Sequence, residues 1–375
     1  MGSLQKLAKR TFIFLNVIVA FLFLLSCCNA FLHPDKWWWV ALLAFFFPLF
    51  LLLLLLFFIF WLVLRSRVVL ISLVCLLIGW KNIHAFFGFS PSGRDFSRKD
   101  STGMRVITWN VRQWDEFITK KTGASGHRQL MLDLLKKQNP DILCLQEFYE
   151  PADSSQSNIR YIARELNLPN YYFSRDFHSR NRKYETGSII FTHYPMGPGH
   201  KTLFYPDSAQ RTQNIISADL NVDGKIFRIY TTHLQSVLFK PRDFRNVEII
   251  QNAEDSMLEA SRSLAKKLKS ALGLRGHQAD IVRKTLDTCS FPLIVCGDFN
   301  DVPNSYTYFH IRGKLQDAFI AKSLGIGRTY THISPTLRID YILPSDDFRV
   351  LQSMKLNAPY SDHHMVMADL QLEDK

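Results

Sequence analysis

The residues best suited to chemistry lie at the ends of short apolar runs. Residues 293–301 read LIVCGDFND: four apolar residues, a glycine, then Asp298, Asn300 and Asp301. Taken alone, this fits a strand followed by an Asx-turn. As a packing device it is poor, because buried charge is costly unless it is paired or bound to a cation. The arrangement recurs along the chain. Asn110 follows MRVITW, Glu147 follows DILCLQ, and His233 ends KIFRIYTTH. Asp340 follows TLRI, and Asp362 and His363 precede the run that begins at Met365. Each has an ordinary local explanation, such as a turn for Asn110 or a structural imidazole for His233. Eight polar groups at corresponding strand ends are better explained by one shared site. The set offers oxygen donors and imidazoles without a thiolate. That suits Mg²⁺, with Mn²⁺ or Ca²⁺ as alternatives, better than a structural zinc. Carboxylates and imidazoles on rigid strands are also the groups of general acid–base catalysis.

Positioning these groups requires many short strands. Residues 293–296 are too few for a helix and are bounded by Pro292 and Gly297, so they read as a buried strand. Residues 104–109, 141–145, 187–192, 338–343 and 365–370 read the same way. Residues 214–220 and 225–230 form a predicted hairpin around Asp223-Gly224. Helical spacing places Leu130, Leu134 and Leu135 on one face of 127–138, which Asn139-Pro140 ends. Further helices are predicted at 158–166 and 305–310, the latter closed by 315–319. Residues 238–289 form a long helical stretch with Met257, Leu264 and Leu268 beside Lys266, Lys267 and Lys269. It reads as a surface helix pair with a solvated basic face, or as a lid that meets a membrane.

TWNVR, LQEF, THLQS, GDFND, RIDYIL and SDHH, in this order over about residues 104–371, resemble the endonuclease/exonuclease/phosphatase superfamily. Its members include pancreatic-type deoxyribonucleases, abasic-site endonucleases, neutral sphingomyelinases and inositol polyphosphate phosphatases. The resemblance implies the α/β class: a four-layer α/β sandwich with two facing mixed sheets and the site at one edge. It implies Glu147 as the main Mg²⁺ ligand, with Asn110 and Asp362 near the metal. It implies that Asp298 orients or deprotonates the attacking water, and that Asn300 and His233 hold the scissile phosphate. His363 is expected to stabilise the transition-state charge, with Asp340 fixing its tautomer, and Glu185 to orient His233 in the same manner. His233 is similar to the deoxyribonuclease and sphingomyelinase branches. Thr336 to Ile339 lack the Trp that abasic-site enzymes usually carry before the equivalent of Asp340, which argues against abasic-site repair.

Composition splits the chain. Residues 1–103 carry ten Lys/Arg against three Asp/Glu, a balance of +7, and the remainder 35 against 30, a balance of +5. Most of the net +12 therefore flanks apolar segments and is no nucleic-acid footprint. Residues 11–32 are about one bilayer span long. Residues 38–64 are longer, with Trp37, Trp38 and Trp39 as an interfacial belt. Residues 68–80 are either re-entrant or a third span continuing through 83–89, which would include Lys81 and His84. The basic start also fits a signal peptide, and LLSC, ending at Cys27, faintly fits a lipoprotein cleavage site. Two further apolar segments favour an anchor. The six cysteines give no disulfide pattern.

The expected organisation is a membrane region over 1–89 with two to three transmembrane helices, a polar linker over 90–103, and a catalytic domain over 104–375. Lys6, Lys9, Arg10, Arg65 and Arg67 place the N-terminus and the 65–67 loop in the cytoplasm. Three spans then put the large domain outside the cytoplasm, and two put it inside. The reading taken is an integral protein of a bacterial inner membrane with an extracytoplasmic catalytic domain. The expected reaction is metal-dependent hydrolysis of a phosphodiester, in a phospholipid or lipid-linked head group or in nucleic acid. Membrane lipids and that substrate are the expected partners, with no obligate protein partner evident. The alternatives are a membrane-anchored endonuclease or exonuclease on extracytoplasmic DNA or RNA, and a non-catalytic membrane adaptor.

Overall fold

The structure, a computed structural model, describes residues 3–90, 98–116, 127–205, 213–237, 241–252 and 256–373. Part of the expected 90–103 linker, residues 91–97, lies outside the described residues. The chain forms two compact units. One comprises Met1–Phe87, Val237–His277 and Val302–His310; the other comprises Gly88–Ser236, Gln278–Asp301 and Ile311–Lys375.

The second unit is built on two mixed sheets. Strands β2 (Met104–Asn110), β3 (Ile142–Pro151), β4 (Asn170–Phe173), β6 (Tyr184–Thr192), β13 (Phe348–Leu356) and β14 (Met365–Leu372) run in the order β13-β14-β2-β3-β6-β4. The short strand β5 (Phe177–His178) pairs with β6 and completes this seven-stranded sheet. The five-stranded sheet has the order β12-β10-β9-β8-β7, from β7 (His200–Leu203), β8 (Asn214–Val222), β9 (Lys225–His233), β10 (Leu293–Asp298) and β12 (Asp340–Pro344). Within these sheets β2–β3 and β9–β10 pair in parallel and the other pairs are antiparallel. A two-stranded pair, β1 (Gly88–Phe89) with β11 (Leu324–Gly325), stands apart.

Strand alternation builds the layers. Val106, Ile142, Cys144 and Ile190 point inward and meet Ile216, Ile229, Ile294, Cys296 and Ile342 from the other sheet. Their neighbours Ile107, Trp109, Leu143, Leu145 and Phe191 face the opposite way. There they bury Met131, Leu132 and Leu135 of α5 (Arg128–Gln138) and Ile159 and Ile162 of α6 (Asn158–Glu165). The architecture is the four-layer α/β sandwich expected from the sequence. Two dry ion pairs pin its strands. Arg105 on β2 grips Asp369 on β14 at 2.7 and 2.9 Å. Arg338, just before β12, holds Asp317 at 2.7 Å, with its guanidinium over the Phe319 and Tyr341 rings.

The first unit gathers the apolar helices α1 (Ser3–Cys27), α2 (Trp38–Val63), α3 (Val69–Ile78) and α4 (Trp80–Phe86). Two helical stretches, over residues 4–30 and Trp38–Val63, are long and apolar enough to cross a membrane. Helices α3 and α4 are bent by 66° and make a third candidate if they count as one span. Polar contacts fix their register. Ser72 Oγ donates to Asn16 Oδ1 at 3.0 Å, Gly79 lies against the Phe23 ring, and Asn82 Nδ2 donates to Cys27 O at 3.2 Å. Successive points on α3–α4 thus meet successive points on α1, so the two run in parallel. The same unit contains α7 (Pro241–Gln251) and the first two-thirds of α8 (Met257–Asp287).

Candidate active site

Strand register sets the site. In the five-stranded sheet His233 lies opposite Asp298, and Asp298 opposite Asp340, one residue from each of three adjacent strands. Gly297 makes this approach possible. Its φ is +132°, and a Cβ there would overlap the Thr232 carbonyl oxygen, so no side chain fits between β9 and β10 at that point. In the other sheet Asn110 lies opposite Gln146. A β-bulge follows, where the β3–β6 register shifts between Leu145 and Phe148. Gln146 is buried and donates to Thr108 Oγ1 at 3.0 Å and to Thr231 Oγ1 at 2.9 Å, which ties the two sheets beneath the site. Glu147 takes the extra position with φ 50°, a re-aiming typical of bulges beside active sites.

Asp298 is the hub. Its Oδ2 accepts from Asn110 Nδ2 at 3.1 Å and Asn300 Nδ2 at 3.3 Å, and its Oδ1 accepts from the Asn300 N–H at 2.8 Å. The Nε2 atoms of His233 and His363 stand 3.5 and 3.7 Å from Oδ2. Burial raises the Asp298 pKa; the His363 charge opposes this, the Asp340 charge adds to it, and His233 again lowers it. Behind His363, Nδ1 meets both Asp340 oxygens at 3.0 and 3.2 Å. Burial disfavours the His363 imidazolium, but Asp340 and Asp298 outweigh it and push the pKa up to about 10. The two facing carboxylates thus favour the protonated ring against burial. Thr329 Oγ1 accepts from the N–H groups of Ile339 and Asp340, and Trp109 Nε1 donates to the His363 carbonyl at 2.9 Å.

Glu147 Oε1 accepts from Asn110 Nδ2 at 3.2 Å and lies 3.9 Å from His233 Nε2. Asp362 stands 3.8 Å from Arg112 Nε and accepts from Ser361 Oγ at 3.4 Å. The Tyr330 ring lies tilted at 60° to the His363 ring, with centroids 5.0 Å apart. Its hydroxyl is raised to about 12, first by burial and then by the charges of Asp362, Asp298 and Glu147, with Arg112 opposing. All three carboxylates thus act on one phenol. Asn300 sits at φ 53° and also donates to Leu234 O at 3.0 Å.

One expected placement differs. Glu185 does not reach His233: it pairs with His178 Nδ1 at 2.9 Å and Arg175 Nη1 at 3.3 Å, whereas His233 faces Asp298 and Glu147. The register explains this, since β5 lays His178 directly opposite Glu185. Asn110 turns its amide nitrogen to Glu147 and Asp298 and its oxygen to the Arg112 N–H at 3.0 Å, so it orients both carboxylates.

Sequence reasoning singled out neither Arg112, Thr329 and Tyr330 nor Ser361, whose Oγ donates to Asn110 O at 2.8 Å. Arg112 stands inside TWNVR and Ser361 inside SDHH, but Thr329 and Tyr330 lie in a loop with no pattern to mark them. The site holds four carboxylates, Glu147, Asp298, Asp340 and Asp362, against two imidazoles and Arg112. That hard-oxygen, charge-excess donor set fits a divalent cation such as Mg²⁺. Asp298, Asp340 and His363 also present ligand atoms within 4.8 Å of one another, yet both Asp340 oxygens are taken up by His363 Nδ1. Glu147 and Asp362 are the carboxylates left for a metal.

A two-sheet α/β sandwich with carboxylates, amides and imidazoles at its strand ends defines a class of phosphoric-ester hydrolases. Residues 107–363 match the Endonuclease/Exonuclease/phosphatase family, and the chain belongs to it. Members are typically hydrolases of phosphoric esters, include phosphodiesterases and nucleases, and generally use a divalent metal. Residues 9–86 match a domain of unknown function, DUF8431. No curated protein matches the chain. Among solved structures, an endonuclease/exonuclease/phosphatase from Beutenbergia cavernae is similar at 19% identity and TM-score 0.51, covering 73% of this chain and 72% of that one. The catalytic domain of human Nocturnin with bound sulfate is similar at 18% identity and TM-score 0.49, covering 74% and 97%. TDP2 of Danio rerio, complexed with a single-strand DNA product, is similar at 16% identity and TM-score 0.48, covering 72% and 100%.

Proposed function

We propose that this protein is a membrane-anchored, divalent-metal-dependent phosphodiesterase that hydrolyses a phospholipid or lipid-linked head group. The observation that carries the reading is the buried Asp298 carboxylate, held by two amides and flanked by the Nε2 atoms of two histidines. In-line hydrolysis of a phosphodiester needs a base for the water and positive charge for the developing oxyanion. Asp298 is the base: it is buried, Asn110 and Asn300 fix its oxygens, and its Oδ2 faces both histidines. His363 Nε2–H carries the positive charge, and Asp340 fixes that tautomer through Nδ1. His233 Nε2 and the Asn300 amide are placed to hold the phosphoryl oxygens. Glu147 and Asp362 would hold the metal, whose chemistry when bound is charge neutralisation at the phosphate.

The first unit supports the membrane reading and its sidedness. Because α3–α4 runs parallel to α1, Asn82 ends level with Cys27 and opposite the 65–67 loop. Asn304 joins the same level, donating to Ser26 O at 3.1 Å and accepting from Asn82 at 2.5 Å. We therefore count α3–α4 as a third span. With Lys6, Lys9 and Arg10 on the cytoplasmic side, the chain leaves α4 on the extracytoplasmic side.

A second reading, a membrane-anchored nuclease, is favoured by one feature. A cavity of about 630 Å³ in the second unit is lined by Arg175, His178 and Arg182 around Glu185, a basic surface suited to a second phosphate. The test compares the full chain, in nonionic detergent and in mixed phospholipid vesicles, on bis(p-nitrophenyl) phosphate, plasmid DNA and the vesicle lipids. Mg²⁺, EDTA and Asp298→Ala arms accompany each substrate. Lipid turnover that EDTA and the variant both abolish supports the first reading, and DNA cleavage without lipid turnover selects the second. A folded protein inert on all three overturns the enzyme reading in favour of an adaptor.

A further inference from the structure

We propose that the cleft between α7 and α8 binds the phosphate of an anionic lipid head group, independently of the catalytic centre. The cleft has a volume of about 230 Å³, room for roughly seven waters at about 30 Å³ each. Each helix contributes one stripe. Arg242, Arg245, Asn246 and Ile249 come from α7; Ser256, just before α8, and Glu259, Ala260 and Ser263 at its start form the other side. Both sets follow the i, i+3, i+4, i+7 spacing of a single helical face.

The chemistry of the lining is that of an anion site. Among the described residues, neither Arg242 nor Arg245 pairs with a carboxylate, although Glu259 shares the cleft. Of the two acids on α7, Asp243 is buried and committed to Lys267, and Glu248 is exposed and is not part of the lining. Asn246 is only 7% exposed, and among the described residues its Nδ2 has no hydrogen-bond partner. A buried amide left without an acceptor is costly, about 1–3 kcal/mol in typical proteins. An oxyanion in the cleft supplies that acceptor, and two guanidiniums and two serine hydroxyls supply the rest of its shell.

A lipid is the occupant because of where these helices sit within their unit. Lys269 Nζ lies 5.2 Å from the Trp38 ring, and Gly273 and Gly276 of α8 approach Asp35 and Pro34. Helix α8 therefore packs on the turn joining α1 and α2, where the chain leaves the apolar layer. Over residues 257–277 it carries five Lys/Arg and one Glu, as a membrane-surface helix does. Met257 and Leu258 are exposed, and they sit between the lining residues Ser256 and Glu259. Apolar side chains beside an anion cleft match a head group attached to acyl chains.

The test is binding of dioctanoyl phosphatidylglycerol to the full chain in nonionic detergent, followed by isothermal titration. Dioctanoylglycerol and inorganic phosphate serve as comparison probes. Combined Arg242→Gln and Arg245→Gln is expected to weaken lipid binding by about tenfold or more, and Asn246→Asp to weaken it as well. Lys266→Gln, an exposed charge outside the cleft, should leave binding unchanged. Equal binding by the double variant overturns the proposal, and so does an equal loss in Lys266→Gln, which would indicate diffuse surface charge. Inorganic phosphate or dioctanoylglycerol binding as tightly as the lipid overturns the head-group assignment. Hydrolysis is not read, so failure here leaves the catalytic proposal standing.

Discussion

Single residues decide the chemistry through the partners they hold. Asp340 and Asp298 both face the buried His363 ring and favour its protonated form. His363→Gln keeps the size and loses the charge, and is expected to lower kcat on bis(p-nitrophenyl) phosphate by about 10²–10⁴. It also leaves the buried Asp340 and Asp298 carboxylates without their partner, so the variant should melt lower while staying folded at the assay temperature. Asp340→Asn should fall in the same direction, because the ring then loses the carboxylate charge that favours its protonated form. Glu185 supplies the contrast. Its partners are Arg175 and His178, so Glu185→Gln should leave turnover of this small substrate within about twofold, the range of ordinary surface changes. A large loss on that small substrate would mean that Glu185 reaches the reacting groups. The eight strand-end residues were legible in the sequence because polarity after an apolar run is a local signal. Which carboxylate faces which histidine was not, since that depends on strand register, and β5, which captures Glu185, is only two residues long.

At the scale of elements, the apolar runs exposed the central strands and the edge strand β12, but the other sheet edges were missed. Residues 142–145 and 293–296 are continuous apolar runs buried on both faces. Strand β13 mixes Arg349, Gln352 and Lys355 with its apolar residues and lies at a sheet edge, so its pattern carries little signal. The bulge at Glu147 was equally hidden: a one-residue register shift has no composition. Packing makes two sharp demands. Gly297→Ala forces a Cβ onto the Thr232 carbonyl and a left-handed φ onto alanine. The backbone part alone costs about 1–3 kcal/mol, so the variant should melt lower and lose activity together as β9 and β10 separate. Asp369→Ala strands Arg105 in a dry core, and removing one partner of such a pair typically costs about 3–5 kcal/mol. A thermal melt of the solubilised chain that matched wild type would show that water reaches this pair.

For the whole molecule, the apolar helices were plain from composition, but their number of crossings was not. Residues 68–89 are ambiguous as a sequence because Lys81, Asn82 and His84 interrupt the apolar run. Contacts within the unit favour a crossing, since Ser72, Gly79 and Asn82 climb α1 from Asn16 to Cys27. Parallel helices that share this register enter and leave the bilayer on the same sides. The three-span topology proposed above would put the residues after α4 on the side opposite the basic N-terminus. Cysteine labelling tests this directly. In a cysteine-free background, Lys36→Cys, Ser66→Cys and Lys225→Cys mark the first turn, the second turn and the catalytic unit. A membrane-impermeant maleimide on intact cells should label positions 36 and 225 and spare 66 until the cells are opened. Labelling at 36 with protection at 225 would mean that α3–α4 turns back, leaving the catalytic unit in the cytoplasm. The substrate would then be sought on the inner leaflet, because the same strand-end chemistry acts on whichever membrane face it meets.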